Sequence, residues 1–134
     1  MRLRRKRLPP ELEAAFVAFG RVLEQIEPAK AALTDVMPTT RLPGRSFPDA
    51  LVDFEEGVAR AQALMPAWRA DAVEPAWAAC DHGIDEALRR ARRLREEAPE
   101  LGGFEGLIWA VEELLEPLEV FAAAAETFHE LKAR

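Results

Sequence analysis

One cysteine, two histidines and three lysines are all that this 134-residue chain holds of those types, and each scarcity narrows the function. The lone Cys80 permits no intramolecular disulfide framework and fits a reducing compartment. No Ser-His-Asp arrangement is visible around His82 or His129, and the chain has no glycine-rich phosphate loop and no paired-cysteine motif. The usual parts of an enzyme are missing, and the expectation is a non-catalytic protein without cofactor. No apolar run approaches the roughly 18–20 residues of a membrane span; "AAFVAFG" and "VFAAAA" are short. A secretory signal would need an apolar stretch of about 7–15 residues after a basic start. Here the start meets Pro9, Pro10, Glu11 and Glu13, so a cytoplasmic location without membrane contact is expected. Fifteen arginines against three lysines, with abundant alanine, point to a GC-rich bacterial genome.

Charge is distributed unevenly. The chain carries 18 Lys and Arg against 24 Asp and Glu, a formal −6, yet Arg2, Arg4, Arg5, Lys6 and Arg7 concentrate five cations at one end. Without them 13 basic residues face 24 acidic ones, a body near −11. Such a field repels phosphate backbones, so nucleic-acid contact would rest on the basic run alone and be weak and strongly salt-dependent. The length suits one domain with a real core, read as a flexible basic arm over 1–9 and a folded unit over 10–134.

What is abundant is helical periodicity. Leu12, Phe16, Phe19, Leu23, Ile26, Lys30, Leu33 and Met37 follow a four-three spacing. The spacing returns in Phe47, Leu51, Phe54, Val58, Ala61, Met65 and Trp68, and again in Val73, Trp77, Cys80, Ile84, Ala87, Ala91 and Leu94. In the last segment Phe104, Ile108, Val111, Leu115, Leu118, Ala122 and Ala125 form one row, widened by Leu107, Leu114, Phe121 and Phe128. Ser46 with Asp49, and Asp71 with Glu74, read as helix starts. "PTTRLPGRS", "MPAWRAD" and "APELGG" are the connections. Four helices with short connections predict an all-α, up-down-up-down four-helix bundle. Pro28 and Pro117 fall inside the pattern, where each should free the carbonyl four residues back, at Glu24 and Glu113, and kink its helix. Bends in the first and fourth helices would leave space between them.

Candidate sites follow from this arrangement. Glu126 and His129 have the E-x-x-H spacing of di-iron bundles, but the second copy such a site requires is missing, so no metal is assigned. Cys80 lies on an inward row and reads as an inert buried thiol, and His82 with Asp85 as at most a surface pair. Arg89, Arg90, Arg92, Arg93 and Arg95 offset a helix C-terminus and can bridge to Glu105, Glu112 or Glu113 on the returning helix; Arg41 and Arg45 at the same end would complete an anion contact. Phe16, Phe19, Trp77 and Phe121 gather toward the end holding both termini, as a bulky layer or an apolar pocket opened by the proline bends. Trp109 and Val120 lie opposite the inward row of the fourth helix among carboxylates, as a partner or self-association contact would. Association with a protein or with itself is the first functional expectation. Carriage of a small apolar ligand between the first and fourth helices is the alternative, and a weak nucleic-acid accessory role for the arm is a further one.

Overall fold

The computed structural model describes residues 8–37, 46–97 and 103–133. They form a four-helix bundle: α1 Pro10–Thr34, α2 Phe47–Leu64, α3 Glu74–Glu97, and a fourth rod divided into α4 Gly103–Leu115 and α5 Val120–Ala133. The basic run and the loop carrying Arg41 and Arg45 lie outside the described residues.

Local chemistry sets the helix starts. Pro10 opens α1 where a missing N–H costs nothing, and the Pro9 carbonyl accepts from Leu12 and Glu13 at 2.9 Å each. Ser46 Oγ accepts from the Asp49 amide at 3.3 Å, as the spacing predicts. The third start differs from expectation. Asp71 does not cap a helix with its side chain but opens a 3-10 turn, Asp71–Val73, and α3 follows at Glu74. A second 3-10 turn, Met65–Trp68, ends α2.

The inward face of α1 also departs from the predicted row. Leu12, Phe19, Ile26 and Leu33 are buried as expected, but the alternating positions are Ala15, Val22, Ala29 and Val36. Phe16 is 43% exposed, and Leu23, Lys30 and Met37 are only half-buried. Both rows share a seven-residue repeat, and the smaller side chains win because they let α2 come close. A Cβ added at Gly57 would stand 2.9 Å from the Ala29 Cβ and 3.3 Å from the Gln25 carbonyl oxygen. Larger residues at 15, 22 and 29 would hold the helices apart, so Phe16, Leu23 and Lys30 turn toward α5 instead.

Where no neighbour approaches, glycine has no such role. Gly20 lies within α1 with nothing inside 4 Å of its would-be Cβ. Gly20→Ala is therefore expected to stabilise the fold by about 0.4–1 kcal/mol through reduced unfolded-chain entropy. A raised midpoint in urea would show it; a lowered one would place an unseen neighbour there.

The two internal prolines act differently. α1 continues through the exposed Pro28, whereas the buried Pro117 divides the fourth rod through the 3-10 turn Glu116–Leu118. Three residues at about 120° each, against about 100° in an α-helix, rotate α5 by about 60° relative to an unbroken continuation. The core of this rod is consequently Ala110, Val111, Leu114, Pro117, Leu118, Phe121, Ala124 and Phe128. From the expected row Phe104, Ala122 and Ala125 are exposed, and Ile108 and Leu115 are half-buried.

Candidate functional site

Geometry at the break in the fourth rod decides which of its surfaces are free. α3 approaches it at Gly83, where an added Cβ would fall 2.3 Å from the Pro117 carbonyl oxygen and 2.9 Å from Val120 Cγ2. Two turns farther along α3 Arg90 reaches across. Its Nη1 donates to the Glu113 carbonyl at 2.9 Å, the acceptor that Pro117 leaves without its helical partner. The same guanidinium meets Glu116 at 2.7 Å, Glu86 at 3.1 Å and the Glu113 carboxylate at 3.5 Å. The hydrogen bond from Arg90 holds the Glu86 carboxyl below its ordinary value. Its contribution to stability is complete above pH 4.5 and is lost as the pH falls through that lowered value.

The bridge between α3 and the fourth rod is thus made by Arg90, one of the five arginines expected to reach the returning helix, and Glu113 is one of the acceptors expected for them. Arg89 turns back to Asp85 and Glu86 of its own helix, both at 3.7 Å. Arg92 and Arg95 reach α2 at Glu55, at 3.4 and 3.0 Å, the second an ion pair without hydrogen-bond alignment. Arg90→Met should cost about 1–2 kcal/mol, because it strands a carbonyl and a group of carboxylates. Arg89→Met, at an exposed pair, should change stability by less than about 0.5 kcal/mol. Equal effects in paired urea melts would dismiss the capping role of Arg90.

Val120 belongs to this seam. It is half-buried against Gly83 and does not share a surface with Trp109, because the 3-10 turn rotates α5 inward at that point. The expected Trp109–Val120 patch is corrected accordingly. Trp109 itself is 55% exposed, as is Phe104 one and a half turns earlier. Glu105 and Glu112, one turn to either side of Trp109, are exposed. Among the described residues neither carboxylate is engaged in an ion pair, and the rings covered by a cation are Trp77 and Phe16.

The expected aromatic pocket closes into a layer. Trp68 is fully buried, its ring centroid 4.8 Å from Phe19 and 5.9 Å from Phe128, and Phe19 packs on Phe121 at 6.2 Å and on Phe128 at 5.1 Å. Phe16 covers the edge of Phe128 at 5.5 Å. Trp77 stands apart: its Nε1 donates to the Met65 carbonyl at 2.8 Å, and Arg69 lies 4.2 Å above its ring while donating to Glu74 at 2.8 Å. That hydrogen bond lowers the Glu74 carboxyl and raises Arg69. Space between the first and fourth helices does exist, but beside this layer. A groove of about 280 Å³ runs along Leu23, Leu118, Phe121, Ala122 and Ala125, edged by Glu27, Lys30 and Glu119.

Other candidates can be placed briefly. Cys80 is fully buried on α3, and burial pushes its thiol up to about 12. Glu126, His129 and His82 are exposed, and no three His, Cys, Asp or Glu side chains among the described residues are grouped to hold a metal ion. The α3 arginines Arg89, Arg92 and Arg93 share a cleft of about 330 Å³ with Asp85 and Glu96. Arg41 and Arg45, expected to join them, lie outside the described residues, as do Arg2, Arg4, Arg5, Lys6 and Arg7. No helix among the described residues is long and apolar enough to cross a membrane.

No protein family, curated protein or solved structure matches this chain.

Gly83 escaped the reading of the sequence as a packing position, and Arg90 was not singled out from the other arginines of α3. A glycine inside a helical pattern does signal a packing reason, and the carbonyl freed by Pro117 does ask for a donor. What periodicity does not reveal is which residue of which neighbouring helix answers.

Proposed function

We propose that this protein is a non-catalytic helical bundle that acts by association, with a protein partner or with itself, through the outer face of α4. The observation that carries this reading is the exposure of Trp109, 55%, on a helix whose opposite side is fixed to α3. Large aromatics with open surfaces are the anchors around which protein interfaces form. Isolated apolar residues at a surface are common, but tryptophan is among the residues most enriched at interface hot spots, and Trp109 stands between the exposed carboxylates of Glu105 and Glu112.

Native mass spectrometry and sedimentation velocity on the full chain test the reading. Trp109→Ala should reduce association, and Phe104→Ala, about 140° around the helix, should do so less, both leaving the thermal midpoint within about 2 °C, as expected for exposed positions. Unchanged stoichiometry in both variants would remove α4 from consideration.

A second reading rests on the groove between α1 and α5. Its apolar floor and charged edge suit a small amphiphile, although its volume lies just below the usual range of about 300–1,000 Å³ for ligand sites. An apolar dye displaced by Ala122→Phe would support it, and no saturable binding would exclude it. An accessory role in nucleic-acid binding through residues 2–7 ranks below both, since the body near −11 opposes any polyanion.

A further inference from the structure

Within this molecule one half-buried tryptophan already shows what chemistry satisfies an indole at the surface. Trp77 carries Glu74 one helical turn before it, and Arg69 covers the ring at 4.2 Å while its Nε and Nη2 hold that carboxylate at 2.8–3.2 Å. Stacking and charge pairing then act on a single guanidinium, a combination lysine does not reproduce. Among the described residues α4 presents the same components without the cation: Trp109, with Glu105 one turn before and Glu112 one turn after. From residue 96 to residue 131 there are ten acidic side chains and no lysine or arginine.

This charge pattern selects the occupant. Packing α4 on α4 of a second copy would set Glu105 and Glu112 against like charges, so a symmetric contact through Trp109 alone is opposed. A cationic, arginine-rich segment is favoured, and the chain contains one in Arg2, Arg4, Arg5, Lys6 and Arg7.

The chain's own run is too short to reach. Trp109 precedes Phe128 by 19 residues, about 28 Å along the rod, and Phe128 packs level with Phe16 and Phe19. α1 begins six residues before Phe16, which adds about 9 Å in the same direction. Residues 2–7, tethered at Leu8, span at most roughly 21 Å when fully extended, against roughly 35 Å to cover.

We propose that the Trp109 face of α4, with Glu105 and Glu112, docks the basic run 2–7 of a second copy of this chain, and that reciprocal exchange of the two runs makes a dimer. The inference rests on the α4 reading above and names its partner. Two identical contacts related by a two-fold axis close the assembly, so it stops at two copies.

The test is sedimentation velocity of the full chain at low and high salt, beside three variants: deletion of 2–7, Trp109→Ala, and Glu105→Gln with Glu112→Gln. Circular dichroism verifies that each is folded. A peptide of residues 1–10 is titrated into the trimmed chain with tryptophan fluorescence as readout. The full chain should be dimeric at about 0.01 M salt and dissociate toward 1 M, where the screening length falls from about 30 Å to about 3 Å. Each variant should weaken the dimer about tenfold or more, and the peptide should shift the fluorescence of the trimmed chain but not of its Trp109→Ala form. A full chain that stays monomeric at low salt overturns the inference. So does a dimer that survives deletion of 2–7: if Trp109→Ala still abolishes it, α4 remains the contact and only the named occupant is wrong. If Trp109→Ala leaves it intact as well, the α4 reading falls with it.

Discussion

Trp68→Ala should destabilise the bundle by about 3–5 kcal/mol, the range for truncating a fully buried tryptophan. The ring has no exposed surface and stands where three elements meet: the turn after α2, α1 through Phe19, and α5 through Phe128. Its indole N–H points to Met65 Sδ at 3.1 Å, so even the polar end is enclosed. Neighbouring rings cannot collapse into the gap, because Phe19 is already held between Phe121 and Phe128. Since domains are stable by only about 5–15 kcal/mol, the variant should be partly unfolded or melt far lower in urea. Trp68→Phe, which keeps most of the layer, should lose clearly less. A loss under about 1 kcal/mol for Trp68→Ala would show that the layer is loosely packed and would return weight to the ligand-binding reading.

Gly83→Ala is the second change with a large expected effect, although it adds a single methyl. In an open helix the substitution would help by about 1 kcal/mol. At Gly83 the new Cβ would meet the Pro117 carbonyl oxygen at 2.3 Å and Val120 Cγ2 at 2.9 Å. The first is backbone beside a buried proline and cannot rotate away as a flexible side chain would. Overpacking typically costs about 1–3 kcal/mol, and a backbone obstacle puts this site at the upper end, for a net loss of about 2 kcal/mol after the helical gain. The fourth rod should also be pushed off α3, lengthening the Arg90 bridge to the Glu113 carbonyl. Amide hydrogen exchange around residues 113–120 should therefore accelerate beyond what the global loss explains. Gly57→Ala is the comparison: its nearest neighbour is the Ala29 methyl at 2.9 Å, which can yield more than a carbonyl, so its net effect should be smaller. A neutral Gly83→Ala would mean that α3 and the fourth rod slide past each other easily.

Much of the fold could be read from one dimension. A seven-residue repeat in Leu12, Phe19, Ile26 and Leu33, and the rows in α2 and α3, specify helices and their inner sides because side-chain direction follows the turn of the chain. Ser46 at the start of α2, the prolines around α1, and the carbonyl freed by Pro117 are likewise local consequences of backbone chemistry. The exposure of Trp109 also followed from its place opposite the inward row.

Tertiary structure alone decided the rest. Along α1 two apolar rows were equally periodic, and only the close approach of Gly57 to Ala29 chose the one with small residues, turning Phe16, Leu23 and Lys30 outward. On the fourth rod the rotation at Pro117 separated Val120 from Trp109, which a continuous helix would have placed on one side. Among the five arginines of α3, Arg90 was selected because the carbonyl to be satisfied lay at one height on a neighbouring helix, a register no spacing within α3 encodes. Periodicity determines which residues can face inward; the distance and rotation of the neighbouring helix determine which of them do.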